Sequence, residues 1–143
     1  MHLFEMLICD LTQSWSATAG GGVSTYLREK ERFFIENSPA RLLRIVPGAE
    51  DKIERIGEHM FATVAAPQVP GSPHYRFILN TRKAHALLRD YMPDVIESHC
   101  PWVLPWVAIN HRRKFPQTAL VAAYHTDFPN VHVHRVLKPV LGD

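Results

Sequence analysis

At 143 residues, with 46% hydrophobic and 21% charged side chains, the chain has the length and composition of one globular domain, which excludes intrinsic disorder. A formal charge of +2 produces no field of the strength that nucleic-acid binding needs. No apolar run approaches the roughly 18 residues of a membrane-spanning helix.

Two cysteines, Cys9 and Cys100, are too few for a secreted disulfide scaffold, and no basic segment precedes the N-terminal apolar run as it does in a signal peptide. Reduced thiols in a cytoplasmic protein are the expectation. Residues 3–9 are mostly apolar and read as a strand covered on both faces. An irregular loop follows, then Gly20-Gly21-Gly22 opening a helix. Consecutive glycines cost conformational entropy and add nothing to a core, so they belong where backbone approaches something closely. At a helix start, unpaired N–H groups and the positive end of the macrodipole suit an anion, most often a phosphate.

In that helix Val23, Tyr26, Leu27, Lys30, Phe33 and Phe34 fall on one face, with the Lys30 stem at its edge. Ser38-Pro39 stops it near Asn37. A second strand covers residues 42–46 and closes at Pro47-Gly48. Residues 49–60 are charged and poorly patterned, fitting a short surface helix or a loop equally. Residues 60–65 form a third strand, and three prolines with a glycine make 67–73 an irregular loop. Ala84, Leu87, Leu88 and Tyr91 predict a helix over 81–91, stopped by Pro93. A fourth strand spans 94–98. The helix over 102–113 carries Val103, Trp106, Val107 and Asn110 on one side and Arg112-Arg113-Lys114 at its end. Residues 118–124 are the fifth strand, and the tail from Val131 to Leu141 begins another helix.

Strands alternating with helices predict βαβ units: an α/β, Rossmann-like, doubly wound parallel sheet with helices on both faces. Ligands of such sheets sit outside the carboxyl ends of the strands. The unusual residues collect there: the glycines, His99, and His125-Thr126-Asp127.

Several chemistries are open at these positions. The glycines fit a dinucleotide fingerprint poorly, since Thr25 stands at the third glycine position and the second strand ends without an acidic residue for a ribose. A flexible turn with no ligand is the plain alternative. His125 at a strand's carboxyl end is either a proton-moving or hydrogen-bonding group, or a loop histidine tied to backbone, and His99 poses the same choice. Asp127 either orients His125 or caps the next turn, and Asp10 and Asp127 are the nearest thing to paired carboxylates. His132 and His134 would share one face of a strand, but no cysteine or carboxylate stands at ligand spacing, so no metal is expected. Cys100 beside His125 would make a nucleophile and base, although Cys100-Pro101 reads first as a strand-to-helix junction. Trp102 and Trp106 before Arg112-Arg113-Lys114 make either a solvated helix end or an interfacial patch on anionic lipid.

Three segments together resemble the N-terminal domain of family-4, GT-B-fold glycosyltransferases. They are Gly20-Gly21-Gly22-Val23-Ser24-Thr25-Tyr26-Leu27, Asp94-Val95-Ile96-Glu97-Ser98-His99-Cys100-Pro101, and Ala122-Ala123-Tyr124-His125-Thr126-Asp127-Phe128-Pro129, in the family's order and spacing. The resemblance covers essentially the whole chain. It implies the N-terminal, acceptor-side half of a GT-B fold in a retaining transferase, which moves a sugar from a nucleotide-sugar donor to a lipid, glycan or small-molecule acceptor. No metal or other cofactor is implied, and peripheral contact with the inner face of a membrane stays one of the two readings of the Trp102, Trp106 and Arg112-Arg113-Lys114 patch. By resemblance Gly21, Gly22 and Val23 face the donor diphosphate and His125 lies beside the reacting sugar. Trp15, His99, Trp102, Thr126 and Asp127 are the acceptor-side candidates.

The chain departs from the family's pattern at Cys100, where an acidic residue is common, and in length. The second, donor-binding domain has no counterpart within residues 1–143, so a truncated half without activity of its own is expected. Two other classes stay open: a stand-alone module gripping a phosphate or glycan through the same loop, and an NAD(P)-dependent oxidoreductase.

Overall fold

A computed structural model of the chain describes residues 6–125. It is an α/β protein built on a six-stranded, mostly parallel sheet. In chain order the elements are β1 (Leu7–Leu11), α1 (Gly22–Asn37), β2 (Arg41–Gly48), β3 (Lys52–Ile56), β4 (His59–Ala65), β5 (Gln68–Val69), β6 (Ser72–Arg76), α2 (Arg82–Tyr91), β7 (Val95–Ser98), α3 (Leu104–Lys114) and β8 (Ala119–Ala122). The large sheet runs β3-β4-β2-β1-β7-β8, and β5 pairs with β6 apart from it.

Two expectations need correction. Residues 49–60 contain neither a helix nor a plain loop: β3 is an edge strand, antiparallel to β4, with Ile56 opposite His59 across a two-residue turn at Gly57-Glu58. Its charged sequence is what an exposed edge strand carries, and all five of its residues are exposed. The sheet is therefore mixed rather than wholly parallel. Residues 67–73, expected to be an irregular loop, instead take part in a short antiparallel pairing that extends to Arg76, Gln68 with Arg76 and Val69 with Ser72.

Alternation along the strands divides the core. Leu7, Cys9 and Leu11 of β1, Leu43 and Ile45 of β2, and Ile96 of β7 pack on one face with Ala84, Leu87, Leu88, Leu104, Val107 and Ala108 of α2 and α3. The other face carries α1, where Trp15, Leu27 and Val46 form a smaller buried cluster. α1 buries only Ser24 and Leu27 completely, and Phe33 of its expected apolar stripe is exposed. The stripe expected on α3 also turns partly outward: Val103 and Trp106 are exposed, and Leu104, Val107, Ala108 and His111 face the core.

β1 lies between β2 and β7, so the chain reverses its winding direction beside β1. That reversal opens a crevice at the carboxyl ends of β1 and β7, where open α/β sheets bind ligands. Backbone bonds carry the ladder past the strand ends, from His99 N–H to Leu11 O (3.0 Å) and from Ala123 N–H to Ser98 O (2.9 Å). These bonds bring the segments holding His99 and His125 to the same edge. Among the described residues, no helix is long and apolar enough to cross a membrane.

Candidate functional site

The face of the sheet toward α1 is charged where the crevice begins. Asp10 and Glu97 are register partners on β1 and β7, so two carboxylates stand side by side. Like charges in such a position destabilise a sheet unless something bridges them. Lys30 of α1 does so, donating from Nζ to Asp10 Oδ1 (2.7 Å) and Glu97 Oε2 (2.5 Å). Burial pulls the Lys30 ammonium down, but the two carboxylates outweigh it and hold its pKa above the ordinary lysine value.

Asp10 Oδ1 also accepts from His99 Nε2 at 2.8 Å, with both side chains fully enclosed. The other ring nitrogen of His99, Nδ1, lies 2.8 Å from His125 Nε2, and the two rings stack with centroids 5.1 Å apart. Tyr26 of α1 closes over both rings, at 5.7 Å from His99 and 5.2 Å from His125. Burial, followed by the Glu97 charge, raises the Tyr26 phenol. Desolvation, together with the charge on His99, lowers the pKa of His125. A continuous chain of contacts thus runs Glu97–Lys30–Asp10–His99–His125, drawn from α1, β1, β7 and the segment after β8.

Donor atoms of Asp10, Glu97 and His99 lie within 4.8 Å of one another, a spacing a divalent ion could bridge. Here both carboxylates are hydrogen-bonded to the Lys30 ammonium, and His99 is turned to Asp10. The set is a closed internal ion-pair network in which the lysine supplies the cation.

Two adjoining hollows open at this edge. The first, of about 570 Å³, is lined by His99 and His125 at a polar end and by apolar groups including Trp102, Ile109 and Leu120. The second, of about 630 Å³, is lined by Gly21, Gly22, Ser24, Tyr75 and Arg76. Ser14, Val23 and Trp102 line both. Gly21 precedes α1 as its N-cap and offers no side-chain cap, the first turn holds no acidic residue, and the first bond of the helix runs from Thr25 N–H to Gly21 O (2.9 Å). The N–H groups of Gly22, Val23 and Ser24 therefore have no acceptor within the helix. A Cβ at Gly21 would lie 3.1 Å from the Tyr75 hydroxyl, so a side chain there would press on the wall of the hollow.

Of the residues singled out from sequence, Val23, His99, Trp102 and His125 share the first hollow, and Gly21, Gly22, Val23 and Trp102 share the second. Trp15 lines neither. It is buried under α1, with the guanidinium groups of Arg44 and Arg28 over its ring at 4.0 and 4.9 Å. The loop itself is stitched to α1, where Ser16 N–H donates to Ser24 Oγ and Arg28 donates to Ser16 O, which fixes Trp15 inward. Thr126, Asp127, His132 and His134 lie outside the described residues. Cys100 accepts from Gln13 N–H at 3.4 Å, and burial raises its thiol, which is the opposite of an activated nucleophile.

Sequence reasoning missed the roles of Lys30, Glu97 and Tyr26, and named Asp10 only with Asp127. The signal was present in part: Asp10 and Glu97 are lone charges inside apolar strand runs, where an unpaired charge is too costly to bury. No protein-family model, no curated protein and no solved structure matches the chain.

Proposed function

We propose that this chain is the acceptor-side domain of a nucleotide-sugar-dependent glycosyltransferase that works with retention of configuration. The observation carrying the proposal is that α1's uncapped amino end and the His99–His125 pair open onto two hollows sharing Val23 and Trp102. Amides at Gly22, Val23 and Ser24 that have no acceptor within the helix, with Arg76 nearby and no carboxylate on the wall among the described residues, suit a diphosphate. As the phosphate departs from the sugar it gains charge, and amides already oriented toward it stabilise that charge without reorganising. His125, in the adjoining hollow, hydrogen-bonds a sugar hydroxyl and holds the sugar for attack. The apolar wall with Trp102 suits the face of a glycan ring or the body of a lipid acceptor.

The test is amide NMR of the 143-residue chain titrated with UDP, GDP and NAD⁺. Shifts at Gly21, Gly22 and Val23 with a nucleoside diphosphate, at millimolar affinity, support a half-site completed by a second domain. Micromolar affinity supports a stand-alone phosphate-binding module instead. NAD⁺ binding alone, or no response at these amides, overturns the reading.

A further inference from the structure

The buried end of the histidine pair has a fixed polarity. Asp10 Oδ1 accepts two hydrogen bonds, from Lys30 Nζ and His99 Nε2, so the His99 proton toward β1 is on Nε2. A neutral His99 then has a bare Nδ1, and that atom lies 2.8 Å from His125 Nε2. An N···N contact of this length needs one proton in it, and His125 must supply it. We propose that Asp10 and His99 are positioning residues that hold His125 as the tautomer protonated on Nε2, leaving its Nδ1 as a hydrogen-bond acceptor for a ligand hydroxyl in the hollow. Naming a sugar hydroxyl as that ligand rests on the function proposed above; the tautomer itself does not.

Charge bounds what the pair can take up. Asp10, Glu97 and Lys30 together carry one net negative charge, so one added proton on the imidazoles brings the cluster to neutrality. A second would put two imidazolium rings in stacked contact. Among the described residues, the groups facing His125 are His99 and Glu97 from β7 and its following loop, Asp10 from β1, and Tyr26 from α1. None of them offers a second countercharge. Uptake of the single proton turns His125 Nδ1 from acceptor to donor, so the hollow's polar end reverses its hydrogen-bonding sense in acid. The lowered pKa of His125 keeps it an acceptor at neutral pH.

The experiment uses the full chain labelled with ¹⁵N-histidine and needs no ligand. Scalar coupling across the N–H···N bond is expected between His125 Nε2 and His99 Nδ1, with the proton bonded to His125 Nε2. A proton bonded to His99 Nδ1, or no coupling at any pH from 6 to 8, overturns the proposal. The second arm is Asp10→Asn, which keeps the shape and removes the countercharge of a protonated pair. Its expected effect is at least a tenfold fall in the pair's proton affinity, read as a downward shift of about one pH unit or more in the ¹⁵N titration. A titration within a threefold change of the parent would show that Asp10 is only structural and would sink its positioning role. Should Asp10→Asn not fold, the wild-type coupling decides. Nucleotide binding enters neither arm, so the tautomer proposal can fail while the transferase reading stands, and the converse.

Discussion

Lys30 is where sequence pattern and structure part most instructively. On periodicity it is a long polar residue tolerated at the edge of an apolar stripe, yet it is the bridge between two neighbouring carboxylates at the centre of the site. Its side chain is 11% exposed and that of Asp10 1%, so water screens this network little. Removing one member of such a pair leaves charge buried without compensation, which costs more than the pair contributes when intact. Lys30→Met should therefore destabilise the fold by about 3 kcal/mol in urea melts. Adding Glu97→Gln to it should recover part of that loss, because one of the two stranded charges is gone. A loss under about 1 kcal/mol for the single variant would mean that solvent already compensates the carboxylates.

Among the elements, those with a period and a clean stop were legible. α2 is the plainest case: Ala84, Leu87 and Leu88 are its buried face, and Met92 in the left-handed region ends it before Pro93. α3 was legible as a helix but not in its facing, because apolar residues occur on both sides and only packing decides which side is inward. β3 was hidden because an edge strand exposed on both faces has no alternation to read. Its partner strand constrains its other neighbour in a way the sequence does not display. A Cβ at Gly48, at the end of β2, would lie 2.6 Å from Thr63 Cβ on β4, a separation that real Cβ atoms do not reach. Gly48→Ala should cost about 1–3 kcal/mol through strand displacement. Thr63→Gly in the same chain should restore part of it, whereas Thr63→Ser, which keeps the Cβ, should not. The measurement is the urea midpoint of the four proteins, and equal midpoints for Gly48→Ala with and without Thr63→Gly would remove the steric account.

For the whole molecule, the position of the candidate site in the fold was legible and the contacts within it were not. Strand–helix alternation places ligands at the carboxyl edge, and the glycines, His99 and His125 do lie there. The Lys30–Asp10–His99 chain joins residues up to 89 positions apart, and no local pattern encodes such a meeting. The same long-range packing sets how the folded state responds to acid. His85 on α2, His111 on α3 and His125 after β8 all have folded pKa values below the ordinary 6.5, in each case through desolvation first and neighbouring positive charge second. Among them His111 is the most enclosed, packed against Phe115 with its Nε2 3.4 Å from Thr118 Oγ1. A depressed folded pKa means that the unfolded chain binds these protons more readily than the native one. Stability from these groups is then fully present above pH 6.5 and lost as pH falls through their folded values. Unfolding free energy should be flat between pH 7 and 8 and decline from pH 6.5 toward 5. His111→Gln should remove part of that decline without altering the plateau's shape. Lys30, whose folded pKa is raised, keeps its charge throughout this window. A stability that rises on acidification from pH 7 to 5.5, measured by urea unfolding, would show that the histidines gain partners on folding rather than losing water.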